Sequence, residues 1–300
     1  MRLCGSKVHG IYDKGRQLRI GILGGSSLLG ERVLPLLAKS GHTTSAFTRG
    51  LPKVPCCGVT WRKADDWHAL ELDIFLSFAP IWVLVDYLRR LANTRVRRVV
   101  VLSSTSRFAK QASPDVRERE VAQRLIHAEE QFEQWAIERQ IEWVILRPTM
   151  IYGFGRDKNI SEIARFIQRF GFFPLIGGGT GLRQPVHGDD VIQACLSAIG
   201  TADLPSGGYD LSGGEVLSYQ TMVQRIFQAL DRPERTLRLP PKALSRGVSI
   251  MRWLPRYRHL SSALVGRMNE DLVFDHSDAR DRLGFTPRVF QLMAEDLPRR

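Results

Sequence analysis

The sequence has few cysteines and no long apolar run. Its four cysteines are Cys4, Cys56, Cys57 and Cys195. None of them forms a C-x-x-C pair, and no Cys/His cluster has zinc-finger spacing, so we expect reduced thiols, no metal site and a cytoplasmic protein. The longest apolar stretch, residues 74–85, is too short for a membrane span and contains a proline. Residues 1–16 lack the apolar core of a secretory signal, which predicts a flexible N-terminal extension.

Acidic residues are also in short supply. Lys and Arg total 43 against 31 Asp and Glu, which gives a net charge of +12. A strongly basic chain suits a small anionic substrate, an anionic membrane surface or nucleic acid, although simple surface charge is an alternative. Nucleic acid is disfavoured, because the sequence has no recognisable binding motif and no aromatic residues interleaved with basic ones as in RNA-binding modules.

Residues 239–268 combine basic and apolar side chains. The cations are Lys242, Arg246, Arg252, Arg256 and Arg258, and the apolar residues include Trp253 and Tyr257. Such a segment predicts contact with a peripheral membrane surface or a protein partner. In the alternative interpretation its apolar residues close a substrate lobe and its arginines face water, since Pro255 interrupts any long helix.

Short apolar runs alternate with helical patterns through the first half of the chain. Strands are predicted at 17–25, 43–49, 58–64, 73–80, 97–104 and 141–148, with a long charged helix over 116–139. This alternation predicts an α/β fold, a Rossmann-type doubly wound parallel sheet. The pattern loosens after Pro148. We therefore expect an NAD(P)-binding domain over 17–150 and, over 151–300, mainly a smaller C-terminal substrate lobe with some segments returning to the sheet.

The first predicted strand leads into the glycine-rich stretch GGSSLLG. Gly24 and Gly30 have the spacing of the outer glycines of a dinucleotide-binding loop, but Ser27 replaces the middle one. A serine hydroxyl can donate to a phosphate oxygen, and a helix that starts near Ser27 would direct its N–H groups at a pyrophosphate. The predicted cofactor-binding residues here are Gly24, Gly25, Ser26, Ser27, Leu28, Leu29 and Gly30.

The end of the second predicted strand bears on the type of cofactor. An acidic residue there would bind the ribose of NAD, but the chain has Thr48 and Arg49. Because a guanidinium can pair with a 2′-phosphate, NADP(H) is favoured and NAD(H) is the alternative. Arg49 could equally be an ordinary surface residue. Asp65, after the third strand, is predicted either to meet the adenine amino group or to cap a helix.

Several stretches together resemble one known family. They are GGSSLLG (24–30), LSSTS (102–106), LRPTMIYGFGRDKNI (146–160), RQPVHGDDV (183–191), YDLSGGEVLSYQTMV (209–223) and VFDHSDARDRLGFTPR (273–288). In this order they resemble the extended short-chain dehydrogenase/reductase superfamily, in particular its NAD-dependent epimerase/dehydratase branch, which acts on nucleotide sugars. The resemblance implies a catalytic role for Thr105, a place beside the nicotinamide for Arg147, and substrate binding by Arg183 and His187.

The sequence departs from this family at the general acid/base. The family uses a Tyr with a Lys four residues later, which lowers the pKa of the phenol. None of the six tyrosines has a Lys at that spacing. Alignment on the acidic end of the motif puts Val121 and Leu125 at the two positions, and a shift by one residue puts Ala122 and Ile126 there. His127 and Lys110 are nearby candidates for a substitute.

Two hypotheses follow for the function. The chain is an NAD(P)-dependent oxidoreductase or epimerase/dehydratase with non-standard proton transfer, acting on a nucleotide-sugar-like or other anionic substrate. Alternatively, it is a catalytically silent cofactor-binding subunit with an assembly or regulatory role, comparable to the accessory subunit of respiratory complex I in the same superfamily. The basic charge and Thr105 favour the first hypothesis, and the missing Tyr and Lys favour the second.

Overall fold

The computed structural model describes residues 17–50, 56–67, 70–240 and 267–299. The predicted N-terminal extension, residues 1–16, lies outside the described residues. So does most of the basic amphipathic segment, of which only residues 239–240 and 267–268 are described.

Strands and helices follow one another in regular alternation through the first half. The strands are β1 (Arg19–Leu23), β2 (Thr43–Thr48), β3 (Val59–Lys63), β4 (Ile74–Ser77), β5 (Arg98–Leu102), β6 (Glu142–Pro148), β7 (Ile151–Tyr152), β8 (Phe173–Ile176), β9 (Leu182–Arg183), β10 (Val186–His187), β11 (Gly207–Leu211), β12 (Leu217–Ser218) and β13 (Thr236–Leu239). The α-helices are α1 (Gly30–Lys39), α2 (Ile81–Val85), α3 (Leu88–Leu91), α4 (Ser106–Ala109), α5 (Val116–Glu138), α6 (Ile160–Phe170), α7 (Gly188–Gly200), α8 (Tyr219–Ala229) and α9 (Ser277–Leu283). Short 3₁₀ turns lie at Ala92–Thr94, Arg267–Asn269 and Ala294–Asp296.

A seven-stranded sheet organises the molecule. Its order is β11-β6-β5-β4-β1-β2-β3, and every neighbouring pair in it is parallel. The order reverses between β1 and β4, which opens a crevice at the carboxyl ends of these strands. The predicted Rossmann-type doubly wound parallel sheet is therefore confirmed. Strand β11, from the second half of the chain, pairs with β6 and completes the sheet.

The sheet is buried on both faces, which explains its nearly continuous apolar strands. Successive residues of β5 point to opposite sides: Val100 packs in one core with α1 and α7, whereas Val99 and Val101 pack in the other with α2 and α5. Helix α5 contributes Leu125, Phe132 and Trp135 to that second core. This two-sided packing fixes the carboxyl ends of the strands, where the candidate site lies.

The second half of the chain builds a separate apolar cluster. Helices α6 and α8 pack around Tyr152, Ile167, Phe227 and Phe290, beside the parallel pair of β8 and β13. Two further strand pairs, β7 with β10 and β9 with β12, link this part to the end of the sheet. The boundary at residue 150 stays a prediction. Among the described helices, none combines the length and apolar character that crossing a membrane requires.

Candidate functional site

The glycine-rich loop forms a tight turn between β1 and α1. Gly24 has a φ of +80°, and its carbonyl accepts a hydrogen bond from the N–H of Ser27 at 2.9 Å. A Cβ on Gly24 would lie 2.7 Å from the backbone nitrogen of Ala79, and one on Gly30 would clash with the carbonyl oxygen of Gly24. Glycine at both positions lets the loop close against the sheet.

Ser27 changes where the helix begins. Its hydroxyl oxygen accepts the N–H of Gly30 at 3.1 Å, and its carbonyl accepts the N–H of Glu31. Helix α1 therefore begins at Gly30, three residues later than the sequence predicted. The N–H groups of Leu28 and Leu29 have no acceptor within the part of the chain that the structure describes. The loop thus presents these two N–H groups, together with the hydrogen of the Ser27 hydroxyl.

Next to this loop, the ends of β2 and β3 are basic. The hydroxyls of Ser26 and Thr48 are 3.2 Å apart, which ties the loop to the end of β2, and exposed Arg49 follows directly. The parallel register places Arg62 opposite Phe47 and Lys63 opposite Thr48. Arg62 and Lys63 could not be singled out from the sequence, because only the strand register places them at the same end of the sheet as Arg49.

Asp65, the predicted adenine contact, lies on the surface after β3. Its carboxylate forms an ion pair with Arg90, and its side chain is 77% exposed. Arg62 lies 3.6 Å from the carboxylate of Asp66. A contact between Asp65 and adenine stays a prediction.

Thr105 and Arg147 meet at the carboxyl ends of β5 and β6. Thr105 is buried, its N–H donates to the Pro148 carbonyl at 3.2 Å, and α4 begins at the next residue. The Arg147 guanidinium is bound by Glu129 of α5, with nitrogen–oxygen distances of 3.0 and 2.8 Å. The predicted catalytic threonine and the predicted nicotinamide neighbour thus lie at one edge of the sheet.

Glu129 is the centre of a polar network that the sequence analysis missed. This buried carboxylate also accepts hydrogen bonds from Ser103 and Arg107. Asp210 of β11 lies 3.9 Å from Arg147, and burial raises the pKa of its carboxyl, an effect that the Arg147 cation opposes. In the sequence, Glu129 is one of several acidic residues on a charged helix, and its burial follows only from the packing of α5 on the sheet.

Both alternative alignments with the family's Tyr and Lys fall on α5, and the first of them concerns Val121 and Leu125. Leu125 is 4% exposed and belongs to the same core as Ile81 and Leu84 of α2. Val121 is partly buried against that core. His127, one candidate substitute, is exposed. Helix α5 therefore has apolar, packed side chains at both positions, and their correspondence to the family's acid/base pair stays a prediction.

Arg183, a predicted substrate-binding residue, is buried at 3% exposure. Its guanidinium donates to the carbonyls of Leu182 at 2.6 Å, Glu270 at 2.7 Å and Arg267, and lies 5.5 Å from the ring of Tyr219. Burial lowers its pKa from the ordinary arginine value. In this structure Arg183 joins β9 to the returning chain at 267–270, and its contact with a substrate stays a prediction.

His187, the other predicted substrate-binding residue, is buried at the start of α7. Its Nδ1 accepts the N–H of Asp189 at 3.1 Å, and its Nε2 lies 3.0 Å from an oxygen of Asp296. These contacts correspond to the neutral tautomer that carries its proton on Nε2. Both ring nitrogens are satisfied within the protein, so substrate contact by His187 likewise stays a prediction.

This geometry agrees with comparison to known proteins. The model of the NAD dependent epimerase/dehydratase family matches residues 79–210, which include β5, α5, β6 and β11. Over these residues the chain resembles this epimerase/dehydratase family. The match covers the two strand ends that carry Thr105 and Arg147.

Two curated relatives of this chain are informative. The UDP-glucose 4-epimerase of Vibrio cholerae is 24% identical over 160 residues, 53% of this chain and 46% of that one. The mitochondrial NADH dehydrogenase (ubiquinone) 1 alpha subcomplex subunit 9 of Arabidopsis thaliana is 29% identical over 118 residues, 39% of this chain and 29% of that one. The chain spans 28–39% of the length of three curated relatives, including the Arabidopsis subunit.

Solved structures show the same fold. The UDP-glucuronic acid 4-epimerase of Bacillus cereus, in complex with NAD, superposes with a TM-score of 0.68 over 91% of this chain and 94% of its own. The identity is 13%, so the likeness shows the architecture alone.

Proposed function

We propose that this protein binds a nicotinamide dinucleotide on the loop 24–30. The observation that carries the proposal is the set of donors on the loop: the Ser27 hydroxyl, and the N–H groups of Leu28 and Leu29, which have no acceptor among the described residues. These donors lie at the amino end of α1, where the helix dipole favours a pyrophosphate. The Bacillus cereus epimerase, which shares the fold, is described in complex with NAD.

The proposed cofactor is NADP(H), with NAD(H) as the alternative. No acidic residue ends β2, and Arg49 lies there beside the strand-neighbour Lys63. A cationic surface at this point suits a 2′-phosphate better than the two ribose hydroxyls of NAD.

The proposed substrate is a nucleotide sugar or a similar anionic molecule, bound at the carboxyl ends of β5 and β6 beside Thr105. The relatives named above include enzymes that act on UDP-sugars. With apolar residues at the Tyr and Lys positions, proton transfer in this chain would be non-standard or lost. Thr105 and Lys110 are candidates for this proton transfer near the ends of β5 and β6.

A catalytically silent subunit is the second candidate. It is favoured by buried Leu125 and by the likeness to the Arabidopsis NADH dehydrogenase subunit. In a silent subunit the cofactor would be a structural or regulatory ligand, and no proton donor would be required.

Binding and turnover separate the two candidates. The protein is titrated with NADPH and NADH by calorimetry and then incubated with a panel of UDP-sugars, with the products analysed by chromatography. Conversion of any sugar supports the enzyme, whereas cofactor binding without conversion supports the silent subunit. Absence of binding by either dinucleotide would refute the loop assignment.

A further inference from the structure

A short turn near the carboxyl end of the chain holds the loop that follows β7. In that loop Gly153, Phe154 and Gly155 have φ angles of +117°, +64° and +64°. Glycine adopts such angles freely, but phenylalanine rarely does, and the strain at Phe154 persists only where neighbouring groups fix the backbone. The neighbouring groups here belong to the 3₁₀ turn Ala294–Asp296.

Asp296 fixes the loop with both its carboxylate and its backbone. One carboxylate oxygen accepts the N–H of Phe154 at 3.3 Å and lies 3.0 Å from Nε2 of His187, and the other accepts the N–H of Met293 at 2.9 Å. The backbone carbonyl of Asp296 accepts the N–H of Gly155 at 3.2 Å. Burial acts to raise the pKa of the Asp296 carboxyl, but the hydrogen bonds from His187 and Met293 outweigh it, and the pKa is lowered. A buried, ionised carboxylate therefore holds the loop.

The ring of Phe154 lies against the first turn of α1. The guanidinium carbon of Arg32 is 4.0 Å from the centroid of this ring. A Cβ on Gly188 would lie 2.5 Å from the Phe154 ring and 3.0 Å from the side chain of Leu29, so both side chains pack on this glycine at the start of α7. Leu29 belongs to the loop 24–30, and its N–H is one of the donors that we propose for the pyrophosphate. Phe154 thus joins Asp296 to the proposed dinucleotide site.

A second contact connects the same loop to α1. The guanidinium of Arg156 lies 2.6 Å from the carboxylate of Glu31, and both side chains are exposed. Ion pairs between exposed side chains contribute little to stability. The buried carboxylate of Asp296 therefore has the larger part in placing Phe154.

We propose that Asp296 is a positioning residue for the dinucleotide site and that it acts through Phe154. By holding Phe154 against Leu29, it keeps the loop 24–30 in the shape that receives the pyrophosphate, so that less order has to be gained on binding. Because such coupling is reciprocal, a bound dinucleotide should in turn stabilise the turn Ala294–Asp296. This inference rests on the proposed function and adds to it a residue from the opposite end of the chain.

A double-mutant cycle tests the inference. The dissociation constant of NADPH is measured by calorimetry for the unaltered protein, Asp296→Asn, Phe154→Gly and the double variant. Asp296→Asn removes the charge and one acceptor oxygen, so we expect about tenfold weaker binding, the scale of one charge-assisted hydrogen bond. In the Phe154→Gly background there is no ring to place, and the same change should leave the affinity as it is.

The control is Glu215→Gln, which removes a carboxylate elsewhere in the second half of the chain. Glu215 pairs with Arg225 at 2.6 Å and accepts the N–H of Phe290 at 3.3 Å. This variant should lower the melting temperature without changing the affinity for NADPH, which separates a loss of stability from a loss of positioning.

Hydrogen exchange on the unaltered protein provides a measurement that does not depend on the folding of any variant. Addition of NADPH should slow the exchange of the Phe154, Gly155 and Met293 amides, whose acceptors are atoms of Asp296. Unchanged exchange at these amides when NADPH binds, undiminished affinity in Asp296→Asn, or an equal loss in both backgrounds would overturn the role of Asp296 and leave the proposed function standing. If the unaltered protein binds neither NADPH nor NADH, the loop assignment and this inference both fail.

Discussion

Ser27 shows how one side chain can preserve a binding loop while changing its chemistry. Its hydroxyl accepts the Gly30 N–H, so its own hydrogen remains to donate to a phosphate. Variants of Gly30 are poor probes of the loop, because any Cβ there meets the backbone of Gly24. Substitutions of Ser27 can change the ligand contact without that clash.

We expect Ser27→Asp to abolish dinucleotide binding in a folded protein. A carboxylate can still accept the Gly30 N–H and suits a helix N-terminus, but its charge repels the pyrophosphate. Calorimetry with NADPH and a thermal melt are measured side by side, with Ser27→Gly as the control that keeps binding. Undiminished affinity in Ser27→Asp would place the pyrophosphate elsewhere.

Arg49 is expected to discriminate between the two nicotinamide cofactors. A guanidinium beside a 2′-phosphate forms a charge-assisted pair, so Arg49→Ala should weaken NADPH binding by about tenfold to a hundredfold and leave NADH nearly unchanged. The dissociation constants of both cofactors are measured for both proteins, with Arg89→Ala, an exposed arginine of α3, as the control. Equal losses for both cofactors would mean that Arg49 contacts only the part that they share.

At the scale of elements, the extent of helix α5 was predicted correctly, but the contacts of its side chains were not foreseen. The charged pattern over 116–139 predicts a long helix, and α5 spans Val116–Glu138 because Asp115 caps its first turn. Leu125 packs against α2, whereas Glu129 binds Arg147. Both contacts depend on residues that are far away in the sequence. Local pattern identifies such a helix, and only tertiary packing assigns its residues to a core or a site.

The same contrast holds for the strands. The short apolar strands β4 and β5 could be predicted, because burial on both faces leaves them nearly free of polar residues. The two-residue strands β7, β9, β10 and β12 carry no periodicity, so the sequence does not reveal them. Arg183 lies on β9 and His187 lies on β10. Because these strands could not be predicted, the contacts of the two residues within the protein could not be foreseen.

Placing a lysine at position 125 of α5 is expected to destabilise the protein. Leu125 is almost fully buried beside Ile81 and Leu84, so Leu125→Lys would place a charge in the core and lower the free energy of unfolding by about 2–5 kcal/mol. Urea denaturation measures the loss, with exposed Gln123→Lys on the same helix as the control. A stable Leu125→Lys protein would contradict the packing described for this face of α5.

At the scale of the whole molecule, positive charge is the dominant property. Residues 241–266, outside the described part, contain one Lys and four Arg without any Asp or Glu. Each cation near an anionic bilayer adds about 1 kcal/mol of attraction, which screening by salt removes. The chain as a whole is therefore expected to respond strongly to ionic strength.

We expect the protein to co-sediment with vesicles that contain phosphatidylserine at low salt and to be released at high salt. Neutral phosphatidylcholine vesicles are the control for apolar adsorption. A variant with Arg252, Arg256 and Arg258 changed to Gln should bind less. Failure of the unaltered protein to bind anionic vesicles at low salt would leave this segment with a structural role alone.

The place of β11 also constrains the order in which the chain can fold during synthesis. Strand β6 ends at Pro148, but the strand that covers its outer edge is Gly207–Leu211. While the ribosome translates the residues between them, the edge of β6 exposes unpaired backbone groups beside an apolar sheet, a state that invites pairing with other nascent chains. Completion of the sheet therefore has to wait until the second half of the chain has been synthesised.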